Sequence, residues 1–190
     1  DRSTQRRRNA ETGLMEDQVF EFLFCTEPDE CPLVQRGIIE HFVKATEIDG
    51  FGPKIVGQLL TAGLVHDPSD LFRLTVQDLV TLERMGKILA TKLVANIQQR
   101  RTLSLEVFLR ALGIDDLGAV AASSLAAFGE TLPRVRSLTA LDIAGDKEAG
   151  IQGVSGFAEK MAQTVVRGLQ ERAPLIERLL TFVEVEDHVE

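Results

Sequence analysis

The feature that most constrains the fold is a short Gly-x-Gly segment that recurs along the chain in copies of decreasing similarity. Its clearest copy is residues 48–55, IDGFGPKI, which lead into an apolar stretch. Glycine permits a positive φ and a close backbone approach at a tight turn. Proline suits the first position of a helix, where its missing N–H is not needed. The segment therefore predicts a helix, a short hairpin and a second helix.

Three further copies follow at nearly regular intervals. The last small residue of each hairpin is Gly52, Gly86, Gly118 and Ser155, and these positions lie 34, 32 and 37 residues apart. A near-constant period of this length indicates repeated supersecondary units. Tetratricopeptide arrays share the period, but they favour Trp and Tyr, and this chain has neither residue. Four helix-hairpin-helix units are therefore the favoured interpretation.

The start of each helix that follows a hairpin is a candidate anion site. The first N–H groups of a helix have no intrahelical partner and form the positive end of its dipole. DNA phosphate is an anion that this arrangement suits. Lys54 adds positive charge beside the first hairpin, and Arg84 and Lys87 flank the second. The third hairpin carries Asp115 and Asp116, whose charges would repel a phosphate and weaken that copy.

The overall charge of −8 is unusual for a DNA-binding domain, since phosphate contacts dominate affinity. Residues 1–110 carry 14 Lys+Arg and 16 Asp+Glu, a net −2, whereas residues 111–190 carry 7 and 13, a net −6. Any affinity for DNA is therefore expected mainly in the first half. Contacts from backbone N–H groups need no positive side chain, which partly answers the objection.

The amino-terminal segment is polar and basic. Residues 1–13 are predicted to form a flexible arm, with an arm that rests on DNA phosphate as the alternative. Residues 19–24 are β-prone and partly alternating, which predicts one strand. The two cysteines do not form a disulfide framework, and they indicate a reducing cytoplasm. No apolar run approaches the length of a membrane span.

Cys25 and Cys31 flank a loop that has the form of half a zinc ribbon. A structural zinc site needs four ligands, and His41 alone does not complete the set. A relic without metal, or two ordinary thiols, is the favoured interpretation, and zinc binding is the alternative.

Several helix boundaries can be predicted from local signals. Asp67 is expected to cap a helix that begins at Pro68, and Thr75 forms a capping-box pattern with the residue three positions on. Residues 87–101 should form a helix with a basic outer face of Lys87, Lys92, Arg100 and Arg101. Residues 174–185 should add a last helix or short strand, and residues 184–190 should fray.

These residues together resemble the C-terminal region of bacterial NAD-dependent DNA ligase. The likeness covers roughly residues 7–182 and is an ordered series, from the cysteine loop through four hairpins. It is carried by Cys25 and Cys31-Pro32, and by the segments 40–43 (EHFV), 47–55 (EIDGFGPKI), 67–75 (DPSDLFRLT), 82–86 (LERMG) and 108–114 (FLRALGI).

The resemblance implies a mostly α fold: a tandem helix-hairpin-helix domain with four hairpin motifs, preceded by a small degenerate zinc-ribbon-like β element. The implied organisation is a flexible arm and degenerate zinc-ribbon-like segment (1–34), a first hairpin pair (35–112), a second pair (113–182) and an acidic tail (183–190).

The implied function is a non-sequence-specific clamp on nicked double-stranded DNA during replication and repair. The family seals nicks through an adenylated lysine, with NAD as the AMP donor. Its adenylation and OB domains are not among these 190 residues. This segment is therefore expected to bind no NAD and not to be catalytic alone. The rest of a ligase chain is an expected partner, and no membrane is involved.

The family's DNA contacts carry over to twelve positions: Gly50, Phe51, Gly52, Lys54, Arg84, Met85, Gly86, Lys87, Leu117, Gly118, Gly153 and Val154. The chain also departs from the family pattern. The first cysteine pair of the zinc ribbon would fall near Arg7 and Ala10, which are not ligands. Asp116 replaces a small residue in the third hairpin, and Ser155 replaces the second glycine of the fourth.

Two other functions stay open at this stage. A ligase-derived module that has lost DNA binding and contacts proteins would fit the acidic second half and the incomplete cysteine set. An independent enzyme has little support, since no Ser/His/Asp set, carboxylate cluster or Walker loop occurs at a useful spacing.

Overall fold

A computed structural model of the chain describes residues 2–8, 15–21, 31–145 and 153–189, and for the first two ranges it gives the backbone strands alone. Cys25, residues 22–24 of the predicted strand and the charged insertion at residues 146–152 lie outside the described residues. Within those ranges, no helix is both long and apolar enough to cross a membrane.

The amino-terminal segment forms two antiparallel strands, β1 (Arg2–Arg8) and β2 (Met15–Glu21). The prediction of a flexible arm is therefore wrong for residues 2–8, and the strand predicted at residues 19–24 begins earlier, at Met15. The register pairs Arg6 with Asp17. Basic residues of β1 thus occupy positions opposite acidic residues of β2, an arrangement that favours a sheet. Composition alone does not reveal such a pairing.

The rest of the described chain is mostly helical, which confirms the predicted fold class. In chain order its elements are α1 (Pro32–Ala45), α2 (Pro53–Thr61), a 3₁₀ helix (Pro68–Arg73), α3 (Val76–Val80), α4 (Lys87–Gln98), β3 (Thr102–Ser104), α5 (Leu105–Ala111), α6 (Ala119–Gly129), α7 (Leu132–Ser137), α8 (Ala140–Ala144), α9 (Glu159–Glu171), α10 (Ala173–Leu180) and β4 (Glu184–Glu186). The helices before and after the four hairpins are α1–α2, α3–α4, α5–α6 and α8–α9.

The capping signals lie where the sequence predicts them. The Asp67 carboxylate accepts a hydrogen bond from the Ser69 N–H at 2.7 Å, at the start of the 3₁₀ helix. Thr75 and Asp78 form a reciprocal capping box on α3, and Thr139 and Asp142 form the same box on α8. These local side chains fix the start of the first helix in the second and fourth units.

One apolar core runs through both hairpin pairs. Phe42 of α1 and Phe108 of α5 are fully buried, and α1 packs against α5 as well as α2. Helices α1 and α5, which belong to the first and third hairpin units, are also joined at the surface of this core. The Arg110 guanidinium donates to the Ala45 carbonyl at 2.5 Å, and the His41 ring lies 2.8 Å from the Arg110 carbonyl. The hairpins are therefore parts of one packed body.

The carboxyl-terminal residues return to the middle of the chain. Strand β4 runs parallel to β3, with Thr102 opposite Glu184, and the Glu184 N–H donates to the Arg101 carbonyl at 2.7 Å. The His188 N–H donates to the Glu130 carbonyl at 2.7 Å. The prediction that residues 184–190 fray is therefore wrong for residues 184–186 and 188. This pairing is long-range, so the acidic sequence gave no sign of it.

Candidate nucleic-acid interface

All four hairpins share one backbone plan. In each hairpin the residue two positions before the N-cap of the following helix has a positive φ: Gly50 (93°), Arg84 (60°), Asp116 (65°) and Gly156 (86°). The next residue has a buried side chain: Phe51, Met85, Leu117 and Phe157. The residue after that is the extended N-cap of the following helix: Gly52, Gly86, Gly118 and Ala158. The chain thus turns, anchors one apolar side chain and opens a helix in each unit.

The hydrogen bonds of the hairpins repeat in the same way. The carbonyl of each N-cap accepts from the N–H four residues on, that of Val56, Ala90, Ala122 and Ala162, at 3.1, 3.0, 2.8 and 2.9 Å. In the last three hairpins the buried residue donates to the carbonyl three residues back: Met85 to Leu82, Leu117 to Ile114 and Phe157 to Val154, at 3.2, 3.1 and 3.2 Å. The hairpins therefore correspond residue by residue in the N-cap hydrogen bond, and the last three share the second bond as well.

This plan corrects the register of the fourth hairpin. Ala158, and not Ser155, is equivalent to Gly52, so the intervals are 34, 32 and 40 residues. The cause is an insertion: five residues lie between the end of α3 and the N-cap of α4 at Gly86, whereas thirteen lie between the end of α8 and the N-cap of α9 at Ala158. Two glycines, Gly153 and Gly156, precede Phe157, and the second has the positive φ of the hairpin.

Gly153 and Val154 consequently have a packing role. A Cβ added to Gly153 would lie 2.4 Å from the carbonyl carbon of Ala144. The Val154 side chain is buried, and its N–H donates to the Ile143 carbonyl at 2.7 Å. The chain crosses the end of α8 at close range here, and this crossing explains the glycine without a ligand.

The remaining predicted residues divide into buried anchors and an exposed set. Phe51, Met85 and Leu117 are buried in the core, so only their backbones could reach a ligand. Lys54 and Lys87 are exposed, and neither ammonium has an ion pair among the described residues. Arg84 is also exposed, with its Nε 3.4 Å from a carboxylate oxygen of Glu83. The exposed surface of the first two hairpins therefore combines helix N–H groups with the side chains of Lys54, Arg84 and Lys87.

Three N-cap glycines are not required by the fold. Gly52, Gly86 and Gly118 have φ values of −73°, −77° and −71°, which any residue adopts. A Cβ added to any of them would meet nothing within 4 Å. N-cap positions normally favour Ser, Thr, Asp or Asn, whose side chains occupy the open N–H groups. Glycine instead provides no side-chain acceptor for the free N–H groups there. In α2 the N–H that stays free is that of Lys54, because Pro53 has none and the Ile55 N–H donates to the Gly52 carbonyl at 3.0 Å.

Helix α4 holds the first hairpin in place. The Asn96 side-chain amide donates to the Asp49 carbonyl at 3.0 Å. The Arg100 guanidinium donates to the Glu47 carbonyl at 3.3 Å and lies 3.5 Å from the Glu47 carboxylate. Arg101 reaches inward instead, to the Phe72 and Phe182 carbonyls at 3.3 Å each. The helix predicted over residues 87–101 ends at Gln98, so both arginines lie beyond α4. They bind backbone carbonyls and are not part of a basic helix face, which makes that prediction wrong for them.

Helix α9 holds the third hairpin in the same way. A Cβ added to Gly168 would lie 2.4 Å from Cγ2 of Ile114, so the helix and hairpin are in close contact. Gly168 and Asn96 each lie ten residues after the N-cap of their helix, at Ala158 and Gly86. The second pair thus repeats the construction of the first, although its hairpin carries acidic residues.

The residues present do not fit a structural zinc ion. Among the described residues, no group of three or more His, Cys, Asp or Glu side chains is placed to hold a metal. Cys31 is the N-cap of α1, and its carbonyl accepts from the Gln35 N–H at 2.9 Å. The chain has two cysteines in all, which supply at most half of a four-ligand site. The zinc-ribbon remnant is not confirmed.

Comparison with known proteins agrees with this architecture. Residues 42–99 match the family described as SAM-like helix-hairpin-helix tandem. The chain is 40% identical over 166 residues to a DNA ligase of Haloarcula marismortui, across 85% of this chain and 23% of that protein. It is 38% identical over 164 residues to the DNA ligase of Anoxybacillus flavithermus, across 84% and 23%. For the DNA ligase of Sorangium cellulosum the identity is 35% over 160 residues, across 84% and 22%.

The chain therefore spans less than a quarter of the length of the curated relatives it matches. The four equivalent hairpins and the matched segment lead to the same assignment. The chain is a mostly helical protein with a tandem helix-hairpin-helix domain, and it is similar over most of its length to one segment of these DNA ligases.

Proposed function

We propose that this chain is the DNA-binding clamp of an NAD-dependent DNA ligase, or is derived from one. It holds nicked double-stranded DNA without sequence preference, by donating hairpin N–H groups to backbone phosphates. The observation that carries the proposal is the set of N-cap glycines Gly52, Gly86 and Gly118, whose missing side chains the fold does not require.

The chemistry of the helix starts supports phosphate as the ligand. At each bare N-cap the N–H groups that have no intrahelical acceptor lie at the positive end of a helix dipole, and in α2 this group is the Lys54 N–H. Lys54, Arg84 and Lys87 add charge beside the first two hairpins. Contacts of this kind fix position on the duplex and carry no base information, which predicts binding without sequence preference. If each hairpin takes one phosphate, log K should fall with log salt with a slope of about −3 to −4.

The two hairpin pairs are expected to contribute unequally. The first pair has bare glycines at both N-caps and exposed lysines beside them. The second pair carries exposed Asp115 and Asp116 in one hairpin and Ala158 at the other N-cap. Most of the affinity should therefore come from residues 48–54 and 82–87.

The clamp alone is not proposed to seal nicks. In the family it resembles, an adenylated lysine in another domain performs that chemistry, so the clamp positions the nick for the rest of a ligase chain. Replication and repair in the cytoplasm are the proposed setting.

The test exploits the preference of N-caps for Asp. Gly52→Asp and Gly86→Asp should leave unfolding unchanged or stabilise the helix by a few tenths of a kcal/mol. The new carboxylate would nevertheless occupy the N–H groups and repel phosphate. We expect each variant to weaken binding to a nicked duplex at least tenfold, measured by fluorescence anisotropy at two salt concentrations.

Thr181→Asp is the matched control, because it adds the same charge just beyond α10, outside the four hairpins. It should bind almost as the parent does. Parental affinity in Gly52→Asp and Gly86→Asp would refute the hairpin site. A parent that fails to bind at low salt would instead favour a module that contacts proteins.

A further inference from the structure

Two aliphatic side chains project from the helix starts that follow the second and third hairpins. Ile88 is 90% exposed and Val120 is 83% exposed. Each is the second residue after its N-cap, Gly86 or Gly118. Nothing in the described part of the chain covers either side chain. Isolated exposed apolar residues are common on proteins, so exposure alone carries no conclusion. The conclusion rests on the position that the two side chains share relative to their N-caps.

The same position in the other two hairpins is occupied by lysine. Lys54 follows Gly52 by two residues, and Lys160 follows Ala158 by two. Each hairpin pair therefore presents one lysine and one aliphatic side chain: Lys54 with Ile88, and Lys160 with Val120. All four side chains are exposed beside a helix start. This regular placement indicates two kinds of contact on one ligand.

The proposed phosphate contacts determine what lies next to these residues. Along a nucleic-acid strand, each phosphate is flanked by sugars, and deoxyribose presents an apolar C–H surface. A side chain at the second helical residue stands beside N–H groups that would hold the phosphate. Lysine there can pair with the phosphate itself. Isoleucine or valine cannot, but either can bury its methyl groups on the adjoining sugar.

We propose that Ile88 and Val120 are DNA-contact residues that pack on deoxyribose beside the phosphates held by the second and third hairpins. This inference rests on the proposed function. It also gives the clamp a preference for DNA over RNA. A ribose 2′-hydroxyl pressed against an aliphatic side chain would lose water without gaining a hydrogen-bond partner.

The test replaces the apolar surface without altering charge. Ile88→Ser and Val120→Ser should each weaken binding to a nicked DNA duplex about three- to tenfold, since partial burial of such a side chain against a sugar is worth about that factor. The salt dependence should stay parental, because no phosphate contact is removed. Leu33→Ser is the matched control: Leu33 is 78% exposed on α1 and does not follow a hairpin, so its replacement should leave binding unchanged.

A second comparison uses an RNA duplex of the same sequence. The parent should prefer DNA, and the double variant Ile88→Ser/Val120→Ser should lose part of that preference. Parental DNA affinity in the serine variants, alongside loss of binding in Gly52→Asp, would overturn this proposal and leave the clamp intact. An equal loss on DNA and RNA would also overturn it, because the sugar would not be the contact. If Gly52→Asp binds normally as well, the clamp itself fails.

Discussion

Replacing Gly153 by alanine should destabilise the fold, although this glycine precedes a hairpin that resembles a ligand site. The added Cβ would lie 2.4 Å from the carbonyl carbon of Ala144, 2.4 Å from the Gly145 nitrogen and 2.6 Å from the Ala144 oxygen. All three atoms belong to the backbone, so no side-chain rotation can relieve the contact. The next residue is also held in place, because the Val154 N–H donates a hydrogen bond to the Ile143 carbonyl at 2.7 Å.

The magnitude follows from the distance that must be recovered. An ordinary van der Waals contact begins near 3.4 Å, so the crossing strand must shift by about 1 Å. Overpacking of this kind costs about 1–3 kcal/mol. In a protein of this size that cost lowers Tm by roughly 2–10 °C. Urea unfolding followed by circular dichroism measures the free energy directly, and a melt gives Tm.

Gly57→Ala is the control for this experiment. Gly57 lies within α2, and a Cβ added there would meet nothing within 4 Å. That substitution should stabilise the protein by about 0.5–1 kcal/mol, through helix propensity. Unfolding of Gly153→Ala at the parental urea concentration would refute the packing role of Gly153 and reopen its assignment as a ligand contact.

Two further predictions concern single carboxylates. The Asp116→Gly variant should be as stable as the parent, because glycine accepts the φ of 65° without strain. It should bind nicked DNA several-fold more tightly, since the substitution removes a negative charge from the third hairpin. Weaker binding by anisotropy would contradict the phosphate site there. The Thr75 hydroxyl and then the Thr75 N–H, both bonded to the Asp78 carboxylate, hold the pKa of that carboxyl below its usual value. Because the folded pKa is lowered, this stabilisation is present above the unfolded pKa of about 4 and is lost as the pH falls through the folded value. Asp78→Ala should therefore cost about 1 kcal/mol near neutral pH, and urea titrations should show this difference shrinking as the pH falls towards 3; a difference that does not change with pH would contradict it.

Features determined by neighbouring residues could be predicted from the sequence. Both capping boxes lie within four residues, so their residue types alone specify the bonds. The first three hairpins could be aligned because the spacing between them varies by only two residues. The DNA-binding function of the twelve predicted positions stays a prediction, as does the division into segments at residues 112 and 113.

Features determined by distant residues could not be predicted. Arg100 has the sequence context of an exposed basic residue, yet it is bound to Glu47, 53 positions earlier. Strand β4 pairs with β3 across about 80 residues. The fourth hairpin is an intermediate case, because its sequence did contain a usable signal. Phe157 occupies the place of the buried Phe51, Met85 and Leu117, so aligning the apolar anchors would have found it where aligning glycines did not.

The ligand assignment rests on separating the reasons for which a chain keeps glycine. Gly50 and Gly156 have a positive φ, and Gly153 lies against another backbone segment, so the fold explains all three. Gly52, Gly86 and Gly118 have neither property. A free helix start would be more stable with Asp or Ser at those N-caps, and the same chain uses Thr for this purpose at residues 75 and 139. Thr caps therefore begin the helices that precede the second and fourth hairpins, and bare glycine caps begin the helices that follow the first three. The proposed ligand, a phosphate diester that approaches the backbone and accepts its N–H groups, would account for this difference.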